Sequence, residues 1–179
     1  SDAPREIPFP ISKPSNTTSS YIGERQFLQL PNDQAARVRD YAKRKQVSMF
    51  ELMLASLNTL MFKWASTNDV VIGTVEAGRE KQEVNNIIGC FVNFLAIRGQ
   101  LSKNDSLASQ LEKVQRTFSN IRAHQSCPFD FIVDEINPAR GNKSPLYNVS
   151  LRYQNIQLLE DASHDDAILN ELIPDTVNA

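Results

Sequence analysis

"DVVIGTVEAGREKQEVNNIIGCFVNFLAIR", residues 69–98, holds the pattern from which the fold is read. Its first seven residues are a β-branched run without polar alternation, as in a strand buried on both faces. "FVNFLAIRG", residues 91–99, is a second such run, and a charged loop ending at Gly89 separates the two. One asparagine interrupts the second run. Asn93 sits between Val92 and Phe94, where burial leaves a carboxamide short of hydrogen-bond partners.

Working outward, helices alternate with these strands. Asn32 is the expected N-cap of a helix to about Lys45 that turns Ala35, Val38 and Ala42 inward. Ser48 and Glu51 have capping-box spacing at the start of the next. There Phe50, Met53, Leu54, Leu57, Leu60, Met61 and Trp64 cover so much surface that burial on most sides is expected. Past "SKND", Asp105 is the expected cap of a long helix with Leu107, Leu111, Val114, Phe118 and Ile121 on one face. Pro128 suits the first turn of another, with Phe129, Ile132, Val133 and Ile136 inward. "RQFLQL" alternates weakly, as a strand does, and "YNVSLRYQ" closes the pattern with Tyr147, Val149, Leu151 and Tyr153 on one side. The alternation argues an α/β fold with a partly parallel, mixed sheet covered by helices. Residues 1–23, with four prolines and a polar cluster, read as a crossover or linker.

Composition excludes several function classes. A chain of 179 residues with 41% apolar and 22% charged residues is long enough for one substantial core. A net charge of -2 offers no footprint for nucleic acid or an anionic membrane. "FELMLASLNTLMFKWA" carries Glu51 and Lys63 and falls short of the ~20 apolar residues of a membrane span. Cys90 and Cys127 have no metal or disulfide spacing, which fits a reducing cytoplasm. The two histidines, His124 and His164, belong to no metal or triad motif, and the glycines match no nucleotide-binding loop. "SHDD" at 163–166 reads as a solvated loop, since consecutive side chains point apart.

Residues 69–98 resemble the condensation domains of nonribosomal peptide synthetases, whose corresponding stretch runs approximately DVVIGTPxAGRxxxELxxxIGxFVNTLxLR. Asp69–Thr74, Ala77, Gly78, Arg79, Glu83, Ile88, Gly89, Phe91, Val92, Asn93, Leu95 and Arg98 fall on it without a gap. "HQSCPFD", 124–130, is similar to the family's HQDxPFE, and "NKSPLYNVSLRYQN" to its SRxPLFxVxFxxQN, in the same order. Val75, Phe94, Ser126 and Asp130 depart from the pattern, where proline, threonine, aspartate and glutamate are usual. The resemblance covers about residues 5–156. It identifies 24–156 as the carboxy-terminal lobe of such a domain, a chloramphenicol-acetyltransferase-like half, and leaves 157–179 unassigned, as the expected start of a loop before missing final elements. The family's catalytic HHxxxDG occurs nowhere here, so no catalytic residue and no metal is expected in the chain.

The resemblance implies amide formation between a carrier-bound acyl or peptidyl thioester and an acceptor amine. Its implied partners are the amino-terminal half of the same domain, donor and acceptor carrier proteins and adjacent synthetase domains. No cofactor is bound directly; the phosphopantetheine of the carriers delivers the substrates. The residues expected to line the channel are Asn93, Arg79, His124, Gln125, Pro128 and Phe129. Asn93 is read as facing the acceptor or a tunnel water, with bonding to strand-end backbone as its structural alternative. Arg79 either pairs with Glu83 or fixes the loop by bonding carbonyls. His124 is expected to meet the last carbonyls of its helix. A non-catalytic carrier-docking lobe and a cyclisation or epimerisation relative are the alternative functions.

Overall fold

The computed structural model describes residues 2–4, 6–10, 23–79, 82–84, 86–138 and 144–154. The expectations for 11–22 and 157–179, "SHDD" included, lie outside the described residues. Helix α1 (Asn32–Lys45) begins one residue earlier than expected: Pro31 is its N-cap and Asn32 is already in the first turn. Proline presets φ and gives up only an N–H that a first turn leaves unpaired anyway. The helix stops where Gln46 turns left-handed at φ 53° and the Val47 N–H reaches back 3.1 Å to the Ala42 carbonyl.

Helix α2 (Met49–Ala65) starts at the expected box. The Glu51 N–H donates to Ser48 Oγ at 3.1 Å, and the Ser48 N–H to Glu51 Oε2 at 2.7 Å. Burial on most sides is not found. Leu52, Leu54, Ala55, Asn58 and Met61 face inward, while Met53, Leu60 and Trp64 are 40%, 53% and 56% exposed, because layers cover only part of the helix. Nor is "RQFLQL" a strand: Phe27 and Leu28 are exposed in a segment that joins no described ladder, and alternation without a partner strand fixes nothing.

Strand β1 (Asp69–Glu76) is the centre of the sheet and, as expected, buried on both faces from Val70 to Thr74. Strand β2 (Asn93–Gln100) pairs with it antiparallel, setting Ile97 opposite Ile72 and Leu95 opposite Thr74. Here burial alternates. Leu95 and Ile97 point into the core, whereas Phe94 on the other face is exposed, because α2 and α3 cover only the Leu95 and Ile97 side of β2. Two further helices follow, α3 (Leu107–Arg122) and α4 (Phe129–Ile136). Ser106 rather than Asp105 caps α3, accepting the Ser109 N–H at 3.2 Å. Asp105 instead accepts the Ser102 N–H and the Lys113 ammonium, each at 2.7 Å. The last strand, β3 (Val149–Ser150), joins β1 in parallel and is shorter than its pattern suggests. The sheet is therefore mixed and covered by helices, the α/β lobe read from the sequence.

One layer of core lies between the sheet and α2 with α3, where Ile72 and Ile97 meet Leu54, Ala55, Leu111 and Val114. The opposite face is sealed by an aromatic ring. A Cβ on Gly73 would lie 2.2 Å from Tyr147, so only glycine lets that ring rest on β1. Tyr147 in turn touches Phe129 of α4, which touches Phe94. The amino-terminal segment is tied to the sheet through Ile7, whose backbone N–H and carbonyl both pair with the Asn148 carboxamide at 3.0 and 3.1 Å.

Candidate functional site

Two loops meet beyond the carboxy-terminal end of β1 and the start of β2. The first leaves β1 through Gly78, at φ 66°, where a Cβ would strike the Phe91 carbonyl oxygen at 1.9 Å. Arg79 then turns back over the loop. Its guanidinium donates to the carbonyls of Val84 at 2.5 Å, Ile87 at 3.0 Å and Gly89 at 3.0 Å, and lies 4.6 Å from the centre of the Phe91 ring. Of the two roles read for Arg79, these bonds are the loop-fixing one. A planar fork with five donors suits the task, since one side chain can satisfy carbonyls pointing in different directions.

Asn93 performs a comparable task on the turn between α3 and α4. Its Nδ2 donates to the carbonyls of Gln125 and Cys127, both at 2.8 Å, and its Oδ1 accepts the Phe129 N–H at 3.1 Å. The Pro128 cap of α4 carries no side-chain hydrogen-bonding group, so a strand residue 36 positions away satisfies the first N–H of that helix. Both Nδ2 hydrogens are thus committed to backbone. This is the bonding of the structural alternative; reaching an acceptor or a water would require Nδ2 to release a carbonyl.

Gln125 is buried, and its backbone carbonyl is held by Asn93. Arg79 and Gln125 line one cleft of about 610 Å³, together with Phe50, Glu76, Phe118, Arg122 and Tyr153. His124 is exposed and does not line it. Its Nδ1 lies 2.9 Å from the Asn120 carbonyl and must carry the proton to donate there, the end-of-helix contact read from the sequence. Pro128 is exposed at the start of α4, and Phe129 packs between Phe94 and Tyr147. Burial pushes the Tyr147 hydroxyl above its ordinary pKa. The sequence marks the cleft walls Phe118 and Tyr153 only as core and strand positions. Nothing in a periodic pattern distinguishes a side chain that faces a neighbour from one that faces a gap.

Below this region Arg98 bridges β2 to β1, donating from Nη2 to Asp69 Oδ2 at 2.6 Å and from Nε to Asp69 Oδ1 at 2.9 Å. These bonds hold the Asp69 carboxyl below its usual range. Among the described residues no group of three or more His, Cys, Asp or Glu could hold a metal ion.

A family model described as Condensation domain matches residues 3–177. The chain is 33% identical over 157 residues to one of the linear gramicidin synthase proteins of Brevibacillus parabrevis, covering 87% of this chain and 3% of that protein. It is 32% identical over 175 residues to phosphinothricin tripeptide synthetase PhsC of Streptomyces viridochromogenes, 97% of this chain and 16% of that protein. Among solved structures, a four-domain nonribosomal peptide synthetase bound to AMP and glycine superposes with a TM-score of 0.70 at 25% identity, over 73% of this chain and 10% of that one. The first condensation domain of the CDA synthetase has the same fold, with a TM-score of 0.65 at 18% identity over 72% of this chain and 29% of that one. The chain thus spans a small part of the length of the relatives it matches.

Proposed function

The chain belongs to the condensation-domain family, and from this we propose that it is the carboxy-terminal lobe of a domain that joins a carrier-bound acyl or peptidyl thioester to an acceptor amine. The observation that carries the proposal is the use made of residues 69–98. The segment richest in family positions forms β1, the Arg79-bound loop and β2, and its Asn93 places the turn that carries Gln125, Pro128 and Phe129. Acyl transfer to an amine gains most from holding two reactants in line, worth roughly 7–11 kcal/mol of the barrier. Loops pinned by side chains of a buried sheet provide such rigidity. Asn93 serves here as the positioning residue for a wall formed by Gln125, Pro128 and Phe129, and Arg79 as that for the loop before β2.

The substrates reach this wall on the phosphopantetheine arms of donor and acceptor carrier proteins, and the amino-terminal half of the domain, with its HHxxxDG, completes the channel. The 179 residues contain no HHxxxDG, so the chain alone makes no amide bond. The test is to incubate it with loaded donor and acceptor carriers, with and without an amino-terminal half bearing that motif, and follow product by mass spectrometry. Product only in the combined sample supports the reading. Turnover by the chain alone, or none after a stable complex with that half has formed, refutes it.

A further inference from the structure

The core layer between the sheet and helices α2 and α3 opens at one end into a cleft of about 610 Å³. Strands β1 and β3 run parallel and both end there, the end at which open α/β sheets present ligand sites. Glu76 closes β1 on the face of Ile72 and Thr74, and Tyr153 follows three residues after β3. Phe50, at the start of α2, and Phe118, near the end of α3, form the apolar wall, their ring centres 4.9 Å apart.

Two opposite charges line this cleft without meeting. Among the described residues neither the half-buried Glu76 carboxylate nor the exposed Arg122 guanidinium has a hydrogen-bond or ion-pair partner. The neighbouring ionised groups are engaged elsewhere. Arg79 donates to the carbonyls of Val84, Ile87 and Gly89, and Glu51 accepts the Ser48 N–H. Glu76, Arg122 and Tyr153 all keep surface open to solvent, so a ligand in the cleft can reach them.

We propose that the cleft binds a small zwitterion with an apolar or aromatic side chain, a free amino acid or a short peptide. Its ammonium meets Glu76, its carboxylate meets Arg122, and its side chain lies against Phe50 and Phe118. The pairing follows from what each group loses on being covered. A ligand over the half-buried Glu76 carboxylate displaces its water and must return a donor, and one over Arg122 must return an acceptor. A simple anion satisfies only the second, a simple cation only the first. Arg79 adds positive charge, but its described hydrogen bonds go to carbonyls, which leaves Arg122 as the fork open to a carboxylate. An amino acid held on a carrier as a thioester has no carboxylate left. This ligand is therefore not a substrate of the proposed condensation, and the inference stands apart from that reading.

The test is a titration of the isotope-labelled 179-residue chain with L-phenylalanine near neutral pH, followed through the ring signals of Phe50, Phe118 and Tyr153. L-phenylalanine methyl ester keeps only the ammonium, N-acetyl-L-phenylalanine keeps only the carboxylate, and phenylalanyl-leucine sets the two charges further apart. The expected result is saturable binding of the amino acid or the dipeptide, about fivefold tighter than either singly charged analogue, the worth of one partly exposed ion pair. Glu76→Gln should abolish the advantage over the N-acetyl form and Arg122→Gln the advantage over the ester, each with an unchanged melting temperature. An ester that binds as tightly as the zwitterions overturns the proposal and returns the cleft to carrier-bound aminoacyl groups. An N-acetyl form that binds as tightly overturns it in favour of a plain anion site. Absence of saturation, or an advantage that survives both substitutions, overturns it as well.

Discussion

Replacing Asn93 by alanine removes three hydrogen bonds at once: two donated to the carbonyls of Gln125 and Cys127, and one accepted from the Phe129 N–H. At about 0.5–1.5 kcal/mol each their loss sums to roughly 1.5–4.5 kcal/mol. Cys127 is exposed, so water replaces part of what its carbonyl loses; the Gln125 carbonyl belongs to a buried residue and is compensated less. A net cost of about 2 kcal/mol follows, which for a chain of this size lowers Tm by about 4–8 °C. The local signature is more specific than the melt. Hydrogen exchange at the Phe129 amide should quicken, and exchange at Ile72 and Ile97, in the sheet core, should change only with global stability. In the completed domain turnover should fall by more than the unfolded fraction accounts for, because the turn beside the cleft loosens before the lobe melts. Asn93→Asp is the control: it keeps an acceptor for Phe129 and sets oxygen against two carbonyl oxygens, so it should stabilise no better than alanine. An Asn93→Ala protein with unchanged Phe129 exchange and unchanged Tm refutes the assignment of these bonds. Parental turnover in a destabilised variant removes Asn93 from the positioning of the site.

Gly73→Ala forces a methyl into the Tyr147 ring and should cost about 1–3 kcal/mol by overpacking, most of it recovered in Gly73→Ala with Tyr147→Leu; two additive costs in a denaturation cycle would contradict the contact. Ser48→Ala removes the capping box of α2 and should cost about 1 kcal/mol, seen as a Tm lowered by about 2–4 °C; an unchanged melt would show the box contributes nothing. The Asp69 carboxyl is depressed mainly by the Arg98 hydrogen bonds, so the unfolded chain binds its proton at higher pH than the folded one does. Its stabilisation is therefore present above the ordinary value of 3.8 and is lost as pH falls through the lower folded value. Asp69→Asn should flatten the acid limb of stability against pH in that window, and an identical limb in both proteins would remove the linkage.

The elements legible in the sequence are those whose determinants are local. The Ser48–Glu51 box lies within one turn, Pro128 acts on its own backbone, and the β-branched run from Val70 to Ile72 carries its burial in its composition. The readings that the structure changes depend on distant partners. Asp105 and Ser106 are equally good caps by type, and Lys113, eight residues on, draws the aspartate away from the role. "RQFLQL" has the alternation of a strand but joins no described ladder, and Leu60 and Trp64 have core character but are more than half exposed, with Phe9 of the amino-terminal segment the ring that meets Trp64. The bonding of Asn93 is not local either, because its three partners lie 32 to 36 residues further on.

That distance separates where the loops sit from what they display. A turn built on its own glycines and prolines changes position when its sequence changes, whereas the 125–129 turn takes its position from a strand residue bonded to main chain, which every sequence supplies. The loop bound by Arg79 follows the same rule, since the bonds described there go to carbonyls. Exposed positions inside such a turn are free to vary without moving it. Ser126 and Asp130, where this chain departs from the usual family residues, are both exposed, and no hydrogen bond described for the turn uses their side chains. Phe94 departs beside the anchor itself, but its side chain lies on the opposite face of β2 from Asn93, against Phe129. On the proposed function, the anchors hold the turn beside which two reactants would be aligned, and the departures at 126 and 130 alter only the surface offered there. Selectivity among substrates or carriers should therefore shift on substitution at 126 or 130 with little change in Tm, the reverse of what substitution at Asn93 does.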